Sequence, residues 1–102
     1  MMRYLGKASL IICISLFVNI AQAEGDPAAG KAKSALCAAC HGADGMSPND
    51  LWPNLAGQKQ AYLIKQIKAF RDGGRNDPMM SPMVKALTDT DIDDLAAYYS
   101  SK

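Results

Sequence analysis

The sequence predicts a small all-α domain whose helices frame a bound group. Three stretches have helical apolar spacing with recognisable caps, and no stretch reads convincingly as a strand. The two long segments between the helices are rich in Gly, Pro, Asn and Asp. Loops of that length in so short a chain need something inside to order them. With 102 residues, one domain is expected.

The N-terminal stretch is read as separate from that domain. Arg3 and Lys7 precede an almost wholly apolar run from Leu10 to Ile20, and Ala21-Gln22-Ala23 follows. Basic, apolar and small-x-small segments in this order form a secretory signal. The run is shorter than the roughly 20 residues of a bilayer span. Cleavage after Ala23 is expected, making residues 1–23 a signal peptide and residues 24–102 the mature domain. An uncleaved N-terminal anchor is the competing reading. A lipid anchor on Cys13 is disfavoured, because Ile12 stands where a small residue is wanted. Cleavage removes two basic side chains and takes the formal charge from +1 to −1. That balance argues against nucleic acid as a partner, since phosphate binding needs an excess of Lys and Arg. A domain this small commonly needs a staple: a disulfide, a metal or a cofactor.

The first helix is expected from Asp26 to Ala39. Asp26 is a good N-cap and Pro27 suits the first helical position. Its alanines favour helix and allow close packing, whereas Gly30 costs about 1 kcal/mol relative to Ala and calls for a packing reason. The second is expected from Lys59 to Arg71, with Leu63, Ile67 and Phe70 on one face and Ile64 beside them. Gly73 and Gly74 stop it. The third opens at Thr88, an N-cap with Asp91 three residues on, as in a capping box. Ile92, Leu95, Ala96 and Tyr99 form its apolar stripe, bordered by Tyr98. Asp89, Asp91, Asp93 and Asp94 are read as a solvated helix start favoured by the helix dipole, in preference to an acidic docking site. Residues 42–57 and 72–87 are expected as loops.

Cys37-Ala38-Ala39-Cys40-His41 is C-x-x-C-H, the attachment pattern of c-type haem. Two thiols add across the two vinyl groups, forming thioethers, and the adjacent imidazole then reaches the iron. A thioredoxin-like redox pair belongs near a βαβ pattern, and none is visible. A structural disulfide between Cys37 and Cys40 competes in an oxidising compartment. Zinc wants about four ligands, whereas the mature chain has two Cys and one His. Haem attachment is preferred over all three.

His41 is the only histidine, so the second axial ligand must be of another type. Methionine is a soft thioether ligand of haem iron, and Met79, Met80 and Met83 crowd the second loop. Methionine otherwise fills cores, but three within five residues of a Pro-rich loop is an odd core. Met46 is a weaker candidate, too close to His41 to cross the haem. The proximal imidazole also needs an acceptor for its other nitrogen, and a backbone carbonyl in the loop after His41 is the natural source. Trp52 is read equally as core or as haem contact.

These residues together resemble class I cytochromes c, most closely the bacterial cytochrome c553 and cytochrome c4 group. The matching segments are residues 37–42, Asp44-Gly45, residues 52–58, residues 62–67, Met80-Ser81-Pro82-Met83, residues 87–92 and Ala96-Ala97-Tyr98-Tyr99. They span nearly all of the mature chain. The resemblance implies an all-α class I cytochrome c fold, with three main helices and loops wrapped around one covalently bound haem c. It implies that Gly30 permits a close crossing beside Tyr98 of the last helix. It implies covalent attachment through Cys37 and Cys40, and His41 as proximal iron ligand with Pro53 supplying the carbonyl acceptor. Met80 is implied as distal ligand, seven residues before Leu87, with Met83 second and Met79 third. Cytochrome c4 proteins carry two such domains, a pattern that does not transfer to a chain with one C-x-x-C-H.

The expected function is outer-sphere electron transfer by a soluble periplasmic monomer, not catalysis, because two axial ligands leave no open iron site. Redox proteins, either respiratory complexes or periplasmic oxidoreductases, are the expected partners, and no stable membrane insertion after cleavage is expected. The alternatives are a haem enzyme or gas sensor with an exchangeable sixth position, and a small subunit of a larger oxidoreductase.

Overall fold

Five helices make up the regular structure of the computed structural model, which describes Met2, residues 6–14 and residues 25–102; no strand occurs among the described residues. They are α1 (Pro27–Lys33), α2 (Ala35–His41), α3 (Gln60–Asp72), α4 (Met80–Val84) and α5 (Asp89–Ser100). The expected cleavage motif, Ala21 to Ala23, lies outside the described residues. Residues 6–14 have no regular secondary structure, and Leu10, Ile11, Ile12 and Ile14 are exposed.

The expected first helix is two helices. The Ser34 N–H donates to the carbonyl of Lys31 at 3.2 Å, and the Ser34 hydroxyl donates to the same carbonyl at 2.7 Å. This i→i−3 tightening, reinforced by a serine side chain bonding backwards, ends α1. Cys37 and Ala38 both donate their N–H to the Ser34 carbonyl at 2.9 Å, which starts α2. Helix α2 continues to His41, so the whole C-x-x-C-H motif is helical.

The caps elsewhere follow the residues. Asp26 Oδ1 accepts the Ala28 N–H at 2.9 Å ahead of Pro27. Thr88 and Asp91 exchange both hydrogen bonds of a capping box, at 2.9 and 3.1 Å. Gly73 closes α3 by donating to Ala69. Helix α4 falls inside the segment expected to be loop. Asp77 Oδ1 accepts the N–H groups of Met79 and Met80, each at 2.8 Å, just before it.

Helix α5 organises the domain, packing on α1 and α3, while α4 packs on α3. Leu63, Leu95, Ala96, Tyr98 and Tyr99 form the buried core, with Cys37, Leu55, Ile64 and Leu87 at its border. Ile92 and Leu95 are almost fully buried, each contributing about 1.5–3 kcal/mol of transfer free energy. The close crossing of α1 and α5 requires Gly30. A Cβ there would land on the backbone carbonyl of Asp94 and within 2.7 Å of Tyr98 Cβ.

The acidic start of α5 corrects the reading of a merely solvated run. Asp94 is 6 % exposed and accepts the Asp26 N–H at 2.8 Å and Lys33 Nζ at 2.6 Å. Lys33 also pairs with Asp91 at 2.9 Å, and Arg71 pairs with Asp89 at 2.7 Å. These carboxylates bind α5 to α1 and to α3. The Lys33 ammonium holds Asp94 below the usual carboxylate range and Asp91 at about 2. Lys33 is itself raised, chiefly by Asp94. Depressed carboxylates contribute stability that is complete above the unfolded value of about 3.9 and is lost as pH falls through the folded value. The contribution of Lys33 is complete up to its ordinary value near 10.5 and fades only above it. Thermal midpoints should therefore fall between about pH 4 and pH 2, and Lys33→Met should flatten that slope. Equal slopes in the two proteins would contradict the assignment.

Candidate functional site

A mostly apolar cavity of about 540 Å³ opens on one side of the core. Helix α2 contributes Leu36, Cys37, Cys40 and His41 to its wall. The loop after α2 contributes Leu51 to Leu55, and α3 contributes Leu63, Ile67 and Phe70. Met79, Met80 and Met83 line it from the α4 region, and Leu95 and Tyr99 of α5 close it behind. Helix α2 is supported by α1 and α4 by α3, so the two sulfur-bearing segments approach the cavity on separate supports.

The His41 side chain is buried, and its Nδ1 lies 2.7 Å from the carbonyl oxygen of Pro53. A carbonyl only accepts, so Nδ1 is the donor of this bond, and in the neutral ring Nε2 keeps its lone pair. The Pro53 loop is held from behind. Leu55 and Ala56 donate to the Gly45 carbonyl at 2.8 and 3.0 Å, and Gly57 donates to the Tyr99 carbonyl at 2.9 Å. Tyr98 donates its hydroxyl to the Ala43 carbonyl at 3.2 Å. Gly45 has φ +79°, and a Cβ there would come within 2.8 Å of both the Ala56 nitrogen and the Tyr99 ring. Only glycine meets both demands.

Cys37 and Cys40 are half-buried free thiols, not joined to each other. Burial pushes the Cys37 thiol upward, and the Tyr99 hydroxyl beside it acts in the opposite sense more weakly. Met80 is the least exposed of its cluster, with Met79 at 53 % and Met83 at 40 %. Met46 is 60 % exposed and off the cavity wall. Trp52 lies on the wall, which favours ligand contact over the core reading.

Two contributors escape a reading by motif. Asp77 orders the turn ahead of α4 by accepting the N–H groups of Met79 and Met80, although the N-cap of α4 is Met79 and carries no side-chain cap. Tyr99 belongs to the apolar stripe of α5, yet its hydroxyl is buried with no hydrogen-bond partner among the described residues. Nothing in the period of the helix distinguishes it from a core residue.

The wall fits a flat apolar macrocycle carrying iron. Its volume lies within the roughly 300–1,000 Å³ of ligand sites. Two thiols and an imidazole with a fixed tautomer share one helix, and soft thioethers line the same cavity. Among the described residues no cluster of three or more His, Cys, Asp or Glu side chains would hold a metal ion by itself. A helical frame around such a donor set defines a protein of covalently attached haem. The Cytochrome c family model matches residues 27–101, and the chain belongs to the cytochrome c family, whose members bind haem c covalently.

Relatives agree. The chain is 47 % identical over 94 residues to cytochrome c4 of Pseudomonas aeruginosa, covering 92 % of this chain and 46 % of that protein. It is 52 % identical over 81 residues to cytochrome c-554(548) of Halomonas halodenitrificans, covering 76 % of this chain and 98 % of that protein. The crystal structure of reduced recombinant cytochrome c4 from Pseudomonas stutzeri superposes with a TM-score of 0.74 at 44 % identity, covering 76 % of this chain and 46 % of that one. The chain thus spans about half the length of these cytochrome c4 relatives.

Proposed function

We propose that this protein is an exported single-electron carrier with one haem c, exchanging electrons with redox protein partners. The observation that carries the reading is the shared cavity wall of Cys37, Cys40, His41 and Met80, with His41 Nδ1 committed to the Pro53 carbonyl. Bound there, the haem supplies an iron that cycles between ferrous and ferric states. Cys37 and Cys40 tether it, so the cofactor stays with the chain outside the cytoplasm. His41 Nε2 and the Met80 sulfur would hold the iron. The Pro53 carbonyl holds the imidazole in one tautomer and one orientation. The apolar wall excludes water, and ligands anchored on packed helices limit rearrangement on reduction. With His41 and Met80 both holding the iron, no site would be left for substrate, which favours a carrier over an enzyme.

Residues 1–23 act as the export signal in this reading, and residues 24–102 work as a periplasmic monomer. The order of basic, apolar and Ala-x-Ala segments supports it. So do the exposed apolar side chains of residues 10–12 and 14, which add nothing to the core. Among the described residues no helix is long and apolar enough to cross a membrane.

The distal assignment has a direct test. The ferric protein should show the weak near-infrared charge-transfer band of sulfur–iron ligation, and Met80→Ala should abolish it. A band that survives Met80→Ala and disappears in Met83→Ala would move the ligand to Met83.

A further inference from the structure

Met80 lines the cavity from a segment that apolar burial does not hold, because no residue from 75 to 83 is buried. Polar contacts hold it instead. Arg75 ties the start of the segment to α3. Its N–H donates to the Ala69 carbonyl at 3.0 Å and its guanidinium donates to Gln66 Oε1 at 2.9 Å. The same guanidinium lies over the Phe70 ring, 4.4 Å from the centroid. Asp77 and Ser81 then bracket Pro78, Met79 and Met80. The Asp77 N–H donates to Ser81 Oγ, and the Ser81 N–H donates to the Asp77 carbonyl, each at 3.0 Å. The Ser81 hydroxyl donates in turn to the Arg75 carbonyl at 3.4 Å. Inside the bracket, Asp77 Oδ1 accepts the N–H groups of Met79 and Met80, each at 2.8 Å. Pro78 and Pro82 narrow the backbone further through their fixed φ.

We propose that Asp77 is a positioning residue for the distal ligand, its carboxylate holding the backbone so that the Met80 sulfur is presented to the iron in advance. The inference rests on the reading of Met80 as that ligand. A free segment would have to be ordered each time the sulfur bound, and that entropy would be charged against the sulfur–iron bond. The bracket orders it beforehand, as a supporting shell does for any ligand of a metal. Asp77 acts through backbone N–H groups and touches no sulfur itself, so an acceptor oxygen at its position is what the task requires.

The test uses the ferric, haem-loaded protein. Imidazole competes with the Met80 sulfur for the iron, so its affinity reports how firmly the sulfur is presented, and loss of the near-infrared sulfur–iron band follows its binding. Asp77→Ala should bind imidazole about tenfold more tightly than the unsubstituted protein, the factor that ordering a single residue costs. Asp77→Asn keeps the Oδ1 acceptor and should stay close to the unsubstituted protein. Lys33→Met loosens the contacts of α1 with α5 and should leave the affinity unchanged. An Asp77→Ala protein with unchanged imidazole affinity overturns the proposal, as does an Asp77→Asn protein that behaves like Asp77→Ala. An equal rise in Lys33→Met would trace the effect to general stability and overturn it too. Should Asp77→Ala fail to fold, Ser81→Ala decides, since it removes the acceptor of the Asp77 N–H: a raised affinity supports the bracket and an unchanged one refutes it. A band lost in Met83→Ala and kept in Met80→Ala would instead overturn the Met80 reading, so the two failures are distinguishable.

Discussion

Cys37→Ala combined with Cys40→Ala is expected to yield protein from which all haem is lost under denaturing conditions. The two thiols share the cavity wall with His41 and are not joined to each other, so both are available for attachment. Without them, only coordination and apolar contact would hold the cofactor, and neither survives unfolding. The loss should reach the fold as well. Leu63, Ile67 and Phe70 face the cavity, and in a domain of this size the core alone rarely supplies more than about 3–5 kcal/mol. Haem staining after denaturing electrophoresis checks the first effect and far-ultraviolet circular dichroism the second. Haem that stays with the denatured double variant would refute attachment through these cysteines.

Gly30→Val should be the most damaging substitution outside the cavity. Helix propensity alone would reward replacing this glycine, since Ala in its place gains about 1 kcal/mol. Packing decides the sign. The added Cβ falls on the backbone carbonyl of Asp94, which no rotamer change can move aside. Overpacking of this kind costs about 1–3 kcal/mol or more, and parting α1 from α5 also disturbs the Lys33 contacts to Asp91 and Asp94. Gly30→Ala should lower the thermal midpoint by roughly 10 °C and Gly30→Val should lower it further. A Gly30→Ala protein as stable as the unsubstituted one would contradict the close crossing.

Much of the frame was legible in the residues because helices announce themselves locally. Asp26-Pro27, Thr88 with Asp91, and Gly73 are start and stop signals set by backbone hydrogen bonding within a few residues. The His41–Pro53 contact is an expectation of the family resemblance; in the structure His41 Nδ1 lies 2.7 Å from the Pro53 carbonyl oxygen. The break at Ser34 was not legible, because a serine in a run of alanines signals no stop unless its side chain turns back to Lys31. Helix α4 is not legible because five residues are too few to show a period. The role of the α5 carboxylates is not legible for a further reason: their partners, Asp26, Lys33 and Arg71, are distant in sequence.

The order of groups along the chain already decides the chemistry. Two thiols spaced to meet two vinyl groups, an imidazole next to the second, and methionines some forty residues on specify a tethered haem with a nitrogen ligand and a sulfur ligand available. Covalent reach is a matter of local spacing, so the primary structure contains it. Which methionine is drawn inward and which carboxylates clamp α5 depend on contacts between residues far apart in the chain. Burial and orientation are properties of packed surfaces, and they exist only once α5 has closed against α1 and α3.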